Sequence, residues 1–232
     1  MATDEALLDH ADRTGVATLR LYSWSPPCLS FGRHEAALRR YNRELIERMG
    51  VDVVRRPTGG RAVWHEDEVT YAVAAPIAEF GSLSASYCAI HERLAAALRL
   101  LGLAPTLAPQ ASVPRLDSRG ACFAAPVGGE VLIGGKKVVG SAQVRRGRAF
   151  LQHGSILLGG SQDTIRSVSR EAVPPEGATT LSAALGRSVS FAEVAGAVVQ
   201  TWDGGDGVAE TSSPLPERLT AAYFDPGWTW RR

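Results

Sequence analysis

Between Ser118 and Gly159 the chain reads SRGACFAAPVGGEVLIGGKKVVGSAQVRRGRAFLQHGSILLG. Three short runs of β character, Glu130–Ile133, Lys137–Arg145 and Ala149–Leu158, are joined by glycine-bearing turns, and that pattern predicts an antiparallel meander. Gly140, Ser141 and Ala142 lie in the second run, where only side chains this small let a ligand rest against backbone. Neighbouring strand residues point to opposite faces, so only one of Lys136 and Lys137 reaches the inner face. With Val138 and Gly140 sharing one face, Lys137 falls with Val139 and Ser141 on the other. A strand lysine often does no more than keep an edge soluble. Cys122, just before the meander, has two readings: a small buried hydrophobe, or a nucleophile whose thiolate is favoured by an ammonium such as that of Lys137.

Outward from this stretch the chain supplies a mixed frame. Thr3 is placed to cap a helix with Ala6, Leu7 and Ala11 inward. Thr18–Trp24 alternates as a strand, Pro26-Pro27 breaks it, and Cys28–Phe31 reads as a second one. Asn42–Met49 is helical in pattern and closed by Gly50. Val51–Arg55 is apolar enough for an interior strand and runs into the loop Pro57-Thr58-Gly59-Gly60-Arg61, after which Ala62–Glu66 and Val69–Ala75 are strands. Leu83, Tyr87, Ile90, Leu94, Leu98 and Leu101 recur at steps of three or four, predicting a long helix opened by Ser82 or Ser84 and ended by Gly102. Residues 104–121 read as a loop. Short helices follow at Ser161–Val168 and Thr180–Leu185, a capping box at Ser190-Phe191-Ala192-Glu193 opens another, Gly204–Pro216 is a linker, and Leu219–Phe224 is a last helix. The fold class expected is α+β, a largely antiparallel sheet flanked by helices.

Composition narrows the class. The 232 residues are 45% hydrophobic and 21% charged, enough for a sizeable core, and a formal net charge of +1 gives no general pull toward nucleic acid. Cys28, Cys88 and Cys122 share no CxxC spacing, which argues for a reducing compartment. No apolar run reaches the ~18 residues of a membrane span, and the first residues lack a signal-peptide core, so a cytoplasmic globular protein is expected, without nucleic-acid or membrane partners. His65 and His153 have no third partner at metal-ligand spacing, so no metal is expected. Arg55, Arg56 and Arg61 flank Gly59-Gly60 and could grip a carboxylate or phosphate, or simply be solvated. Arg145, Arg146 and Arg148 form a basic hairpin tip, either a solvated turn or a dock for an acidic carrier protein.

Taken together, TDEALL at Thr3–Leu8, LRLYSWSPPCLSFG at Leu19–Gly32, VVRRPTGGRAVWHEDEVTYAV at Val53–Val73, ACF at Ala121–Phe123, GGKKVVGSAQ at Gly134–Gln143 and LQHGSILL at Leu151–Leu158 resemble the biotin/lipoate protein ligase superfamily. Within it the chain is most similar to the cysteine-dependent octanoyltransferases of lipoate assembly. It departs at Arg33-His34-Glu35, where the family carries an aromatic-Gln pair, and in lacking the leading strand before its first helix. The resemblance implies a catalytic domain over residues 1–203, with a helical appendage from about residue 161, and a linker and short packed helix over 204–232. It implies Cys122 as nucleophile and Lys137 as the site lysine. It also implies an acyl site formed by Arg56, Gly59, Gly60, Arg61, His65, Gly140, Ser141, Ala142, His153 and Gly154. An octanoyl group would pass from acyl carrier protein to a lysine of a lipoyl-domain protein, such as the H protein of glycine cleavage, without a cofactor. An ATP-dependent lipoate or octanoate ligase and a non-catalytic lipoyl-domain-binding module are the alternatives.

Overall fold

The computed structural model describes residues 1–109, 128–173, 177–202 and 217–231. In chain order the elements are α1 (Ala2–Thr14), β1 (Thr18–Tyr22), β2 (Cys28–Phe31), α2 (Ala37–Arg40), α3 (Arg43–Arg48), β3 (Asp52–Arg55), β4 (Val63–His65), β5 (Glu68–Pro76) and α4 (Leu83–Leu100). There follow β6 (Pro105–Leu107), β7 (Val131–Ile133), β8 (Lys136–Lys137), β9 (Val139–Arg146), β10 (Ala149–Leu157), α5 (Asp163–Val168), α6 (Leu181–Leu185), α7 (Phe191–Gln200), α8 (Glu217–Phe224) and α9 (Pro226–Thr229). The central sheet is antiparallel in the order β1-β5-β10-β9, and two smaller sheets run β3-β2-β4 and β6-β7-β8. All strand pairs are antiparallel except β2 with β3.

Strand β5 explains the layering. Val69, Tyr71, Val73 and Ala75 turn to one face and pack with Ile90, Leu94 and Leu98 of α4 and Val194 and Val198 of α7. Ala72 and Ala74 turn to the other and meet Leu8 and Ala11 of α1. With both faces covered, β5 reads as a near-continuous apolar run. A separate core behind the second sheet joins Phe31, Tyr41, Ile46, Trp64, Val168 and Trp230. Ser82 caps α4, Ser190 caps α7 and Asn42 caps α3, each side chain accepting the amide three residues on.

The expected single meander is divided between two sheets. Gly134 and Gly135 take φ of 56° and 75°, which closes β7 and β8 into a two-residue hairpin. The chain then changes sheets at Val138. Its amide donates to the Val131 carbonyl at 3.1 Å and its carbonyl accepts from Leu157 at 3.2 Å, so one buried residue serves both sheets. Strand β3 is likewise an edge of its sheet, and β2 is the interior strand. Residues 105–107, expected within a loop, pair with β7, while the remainder of that loop and the linker from Gly204 lie outside the described residues.

Helix α1 begins at Ala2, so Thr3 does not cap it; its buried residues are Asp4, Leu8 and Ala11, with Leu7 packed part-buried against the same core. The helix is turned by Asp4, which is fully buried and accepts from Arg20 at 2.6 Å and Tyr22 at 3.0 Å. The basic hairpin tip is bolted to the same helix. Arg146 pairs with Glu5 and, at 2.5 Å, with Asp9, while the Arg148 amide donates to Asp12 at 2.7 Å. Among the described residues only Arg146 of the three sets its guanidinium against carboxylates; Arg145 and Arg148 stay exposed, the Arg148 side chain donating to the Asp12 carbonyl at 2.9 Å, so the tip is part pinned to α1 and part solvated. Pairs this exposed are worth at most about 1 kcal/mol each, whereas burying Leu8 contributes about 2 kcal/mol. Packing holds α1, and the charges set its rotation.

Arg55 corrects both sequence readings of the arginines. It is fully buried and donates to the carbonyls of Gly32 at 2.6 Å, Glu35 at 2.8 Å, Trp228 at 2.8 Å and Thr229 at 3.0 Å. Burial, with Arg231 nearby, lowers its guanidinium to about 10, still charged at neutral pH. It fastens α9 to β3 and is committed to structure. Arg55→Ala strands several buried carbonyls, at about 1–3 kcal/mol each. The expected outcome is a loss of at least about 3 kcal/mol in urea unfolding, with tryptic cleavage near α9 before the rest of the chain.

Candidate active site

The hairpin β9–β10 sets Ala142 opposite His153, Ser141 opposite Gly154 and Gly140 opposite Ser155. These six residues, with Arg56, Val63, His65, Thr70 and Met1, line a cavity that is open to solvent on one side. Position 154 must be glycine. A Cβ there would lie 2.2 Å from the Gly140 carbonyl oxygen, 2.7 Å from Ser141 Oγ and 2.8 Å from Tyr71 Cε1.

Many of the lining residues are polar, yet their polar atoms are bonded to partners behind the wall. His65 Nδ1 lies 2.8 Å from Glu68 Oε1, its Nε2 lies 2.6 Å from Ser30 Oγ, and its ring stacks on Trp24 at 4.5 Å. Glu68 Oε1 also accepts from Thr70 and, at 2.9 Å, from Ser155. Arg56 donates to Ser30 Oγ at 2.6 Å, to the Ser30 carbonyl at 3.0 Å and to the carbonyls of Gly59 and Arg61 at 3.2 and 2.8 Å. His153 Nδ1 lies 3.1 Å from Asp4 Oδ2 and its Nε2 lies 2.6 Å from Thr58 Oγ1. An ionised carboxylate only accepts, so Nδ1 carries the proton and Nε2 accepts from Thr58. Burial by itself would raise the Asp4 carboxyl. The His153 hydrogen bond, with the N-terminal and Arg20 charges behind it, reverses this and holds Asp4 well below the usual range. Burial lowers His153, against the raising effect of Asp4.

A third relay reaches the wall at Ser141. Gln143 donates to Gln152 at 2.7 Å, Gln152 to Tyr71 at 2.9 Å, and Ser141 Oγ sits 2.6 Å from Tyr71 Oη and 2.8 Å from His91 Nε2. Burial and then the Lys137 charge push His91 down to about 3, so its imidazole is neutral. Its Nδ1 has no hydrogen-bond partner among the described residues.

Of the residues expected at the site, Arg56, His65, Gly140, Ser141, Ala142, His153 and Gly154 meet at this one cavity. Gly59, Gly60 and Arg61 stand behind it. Their loop crosses Gly32 so closely that a Cβ there would be 1.9 Å from the Gly60 carbonyl oxygen. Lys137 is buried in β8 with Nζ 2.7 Å from Glu130 Oε1, off the cavity wall. Cys122 lies outside the described residues. Cys28 is buried, and burial pushes its thiol up to about 12, as a packed small side chain requires. Asp4, Ser30, Thr58, Glu68, Tyr71 and His91 were not singled out from sequence. His91 carried a signal, since Tyr87, His91, Leu94 and Leu98 share the buried helical spacing of α4.

The profile of the lipoyl protein ligase A/B catalytic domain matches residues 1–203. The chain belongs to this family. Among its relatives, octanoyltransferase LipM of Moorella thermoacetica is 44% identical over 68% of this chain and 60% of that protein. Octanoyltransferase LipM of Kyrpidia tusciae is 37% identical over 100% of this chain and 94% of its own length, and that of Exiguobacterium sibiricum 35% over 100% and 94%. The chain thus spans about three fifths of the Moorella relative's length and nearly all of the other two. The family fold is evident in solved structures as well. A bi-partite lipoate protein ligase from Thermoplasma acidophilum superposes with a TM-score of 0.74 at 21% identity, over 99% of this chain and 89% of that one. A lipoate-protein ligase A bound with ATP gives 0.71 at 22%, over 86% and 76%. No helix among the described residues is long and apolar enough to cross a membrane.

The two buried histidines give this family member a predictable acid response. Unfolded histidine titrates near ~6.5, but in the fold His91 is at about 3 and His153 is lowered. Below ~6.5 the unfolded chain therefore binds more protons, so the stability contributed is complete above that pH and is lost as pH falls toward the folded values. Guanidinium midpoints are expected to fall steadily from neutral pH down to about pH 4, and to fall less steeply in His91→Gln. An unchanged slope in that variant contradicts the assignment.

Proposed function

We propose that this chain transfers an octanoyl group from octanoyl-acyl carrier protein, through a thioester on Cys122, to a lysine of a lipoyl-domain protein such as the glycine-cleavage H protein. The observation that carries this reading is the cavity against the β9–β10 hairpin, narrow and faced largely with carbon because His65, His153, Ser141 and Arg56 spend their polar atoms on protein partners. Burying about six methylenes at ~0.8 kcal/mol each supplies roughly 5 kcal/mol of donor affinity. The octanoyltransferase names of relatives aligned along the whole chain support the same chemistry.

In this mechanism the Cys122 thiolate attacks the donor carbonyl. The carbon–sulfur bond to the carrier breaks, and the carrier thiol leaves with a proton. The ε-amine of the acceptor lysine then attacks the acyl-cysteine, loses a proton and forms an amide, returning the thiolate. Thioester to amide is downhill, so the transfer needs no ATP. Lys137 supplies positive charge toward the thiolate and the developing oxyanion. Gly140, Ala142 and Gly154 form the acyl wall, His65 and His153 present ring faces to it, and Gly59, Gly60 and Arg61 hold Arg56 in place.

Intact mass spectrometry after mixing with octanoyl carrier protein tests this. Wild type is expected to gain one octanoyl group, and Cys122→Ser none. Ala142→Leu fills the cavity and is expected to slow acylation by about 100-fold while leaving the fold intact. A folded Ala142→Leu acylated at the wild-type rate contradicts the acyl wall. ATP-dependent use of free octanoate that survives Cys122→Ala replaces the reading with a ligase.

A further inference from the structure

We propose that Glu130 is the positioning residue for Lys137: it fixes the ammonium in place and keeps it charged, and so sets the upper pH limit of activity. The proposal rests on the acyl-transfer reading for the role of Lys137, and on geometry for the pair itself. The two side chains meet at 2.7 Å and are 1% and 2% exposed. Each sits on a pinned backbone. The Glu130 carbonyl accepts from Ala108 at 2.8 Å, and the adjacent Gly129 amide donates back to Ala108 at 2.8 Å. Lys137 is held on the other side of its strand, its amide donating to Gly177 at 3.2 Å and its carbonyl accepting from Thr179 at 2.8 Å. The pair therefore forms on a prebuilt frame, while Lys136, next in sequence, is exposed.

The charge so placed reaches the cavity. His91 of α4 is lowered first by burial and then by the Lys137 charge, and its Nε2 lies 2.8 Å from Ser141 Oγ on the wall. Tyr71 of β5 is raised, chiefly by burial and in smaller part by Glu130. Among the described residues, Glu130 meets the ammonium directly, His91 feels its charge from α4, and Tyr71 feels Glu130 from β5. Neutral His91 offers no compensating charge, and Tyr71 is committed to Ser141 and Gln152. An ammonium removed from water keeps its proton when an anion stands beside it and releases it readily when that anion is lost. Glutamine at 130 preserves shape and removes that anion.

The test titrates Lys137 by NMR on lysine-labelled protein, independently of activity, and measures octanoyl transfer across about pH 6 to 10. Three proteins are compared: wild type, Glu130→Gln and Glu130→Asp. In Glu130→Gln the Lys137 titration and the alkaline limb of kcat/KM are both expected to move down by about one pH unit or more, and Glu130→Asp is expected to restore most of the shift. An unmoved Lys137 titration in folded Glu130→Gln overturns the proposal. If that variant does not fold, Glu130→Gln with Lys137→Met removes both charges, a change buried pairs tolerate. The double variant is expected to fold and to lack transfer, and wild-type transfer by it overturns the proposal. A moved titration in a protein whose wild type never carries an acyl group leaves the pair standing and removes the acyl-transfer reading instead.

Discussion

The carboxylate of Asp4 accepts from Arg20, from Tyr22 and from His153, and through His153 its hold extends to Thr58 in the glycine loop. Four parts of the chain, α1, β1, β10 and the loop after β3, are registered to one another at this single buried group. A hydrogen bond of this kind adds only about 0.5–1.5 kcal/mol net, but leaving a buried partner unmade costs about 1–3 kcal/mol. The constraint is therefore stronger than the attraction. Once Leu8 packs against the sheet, the polar atoms around Asp4 have few ways to be satisfied, and the arrangement they find turns carbon toward the cavity.

Glu68 does the same on the opposite wall. One oxygen takes His65, Thr70 and Ser155 together, which fixes three lining residues with one side chain, while Oε2 has no hydrogen-bond partner among the described residues. Polar side chains whose donors and acceptors are already occupied can line a surface that is apolar toward the cavity. The neutral state of His91 and the lowered His153 follow from the same burial. The site is stiff where it is polar, and Gly154 lets β9 and Tyr71 close up behind it.

Much of the frame was legible in sequence because it is written locally. The apolar runs of β5 and β10, the spacing along α4, and the caps at Asn42, Ser82, Thr180 and Ser190 depend on neighbours within a few residues. Gly140–Ala142 and His153–Gly154 were expected together from the family resemblance, and the β9–β10 register sets them opposite one another. Features that depend on distant partners were not legible. The change of sheets at Val138 turns on carbonyls at Val131 and an amide at Leu157. Arg55 is consumed by carbonyls more than 170 residues away. Asp4 is buried by partners that lie 16 and 149 residues away, Arg20 and His153. Helix α9 had a local sign that was passed over, since Asp225 caps it with Pro226 in its first turn.

The proposal that the carbon-faced wall formed with the β9–β10 hairpin holds an acyl chain is tested most directly by a crystal structure of the protein after reaction with an octanoyl thioester. The account predicts methylene density running between Ala142 and Gly154 toward His65, with the His153–Asp4 and His65–Glu68 bonds intact. An acyl chain bound elsewhere, or a cavity holding ordered water bonded to those histidines, would contradict it.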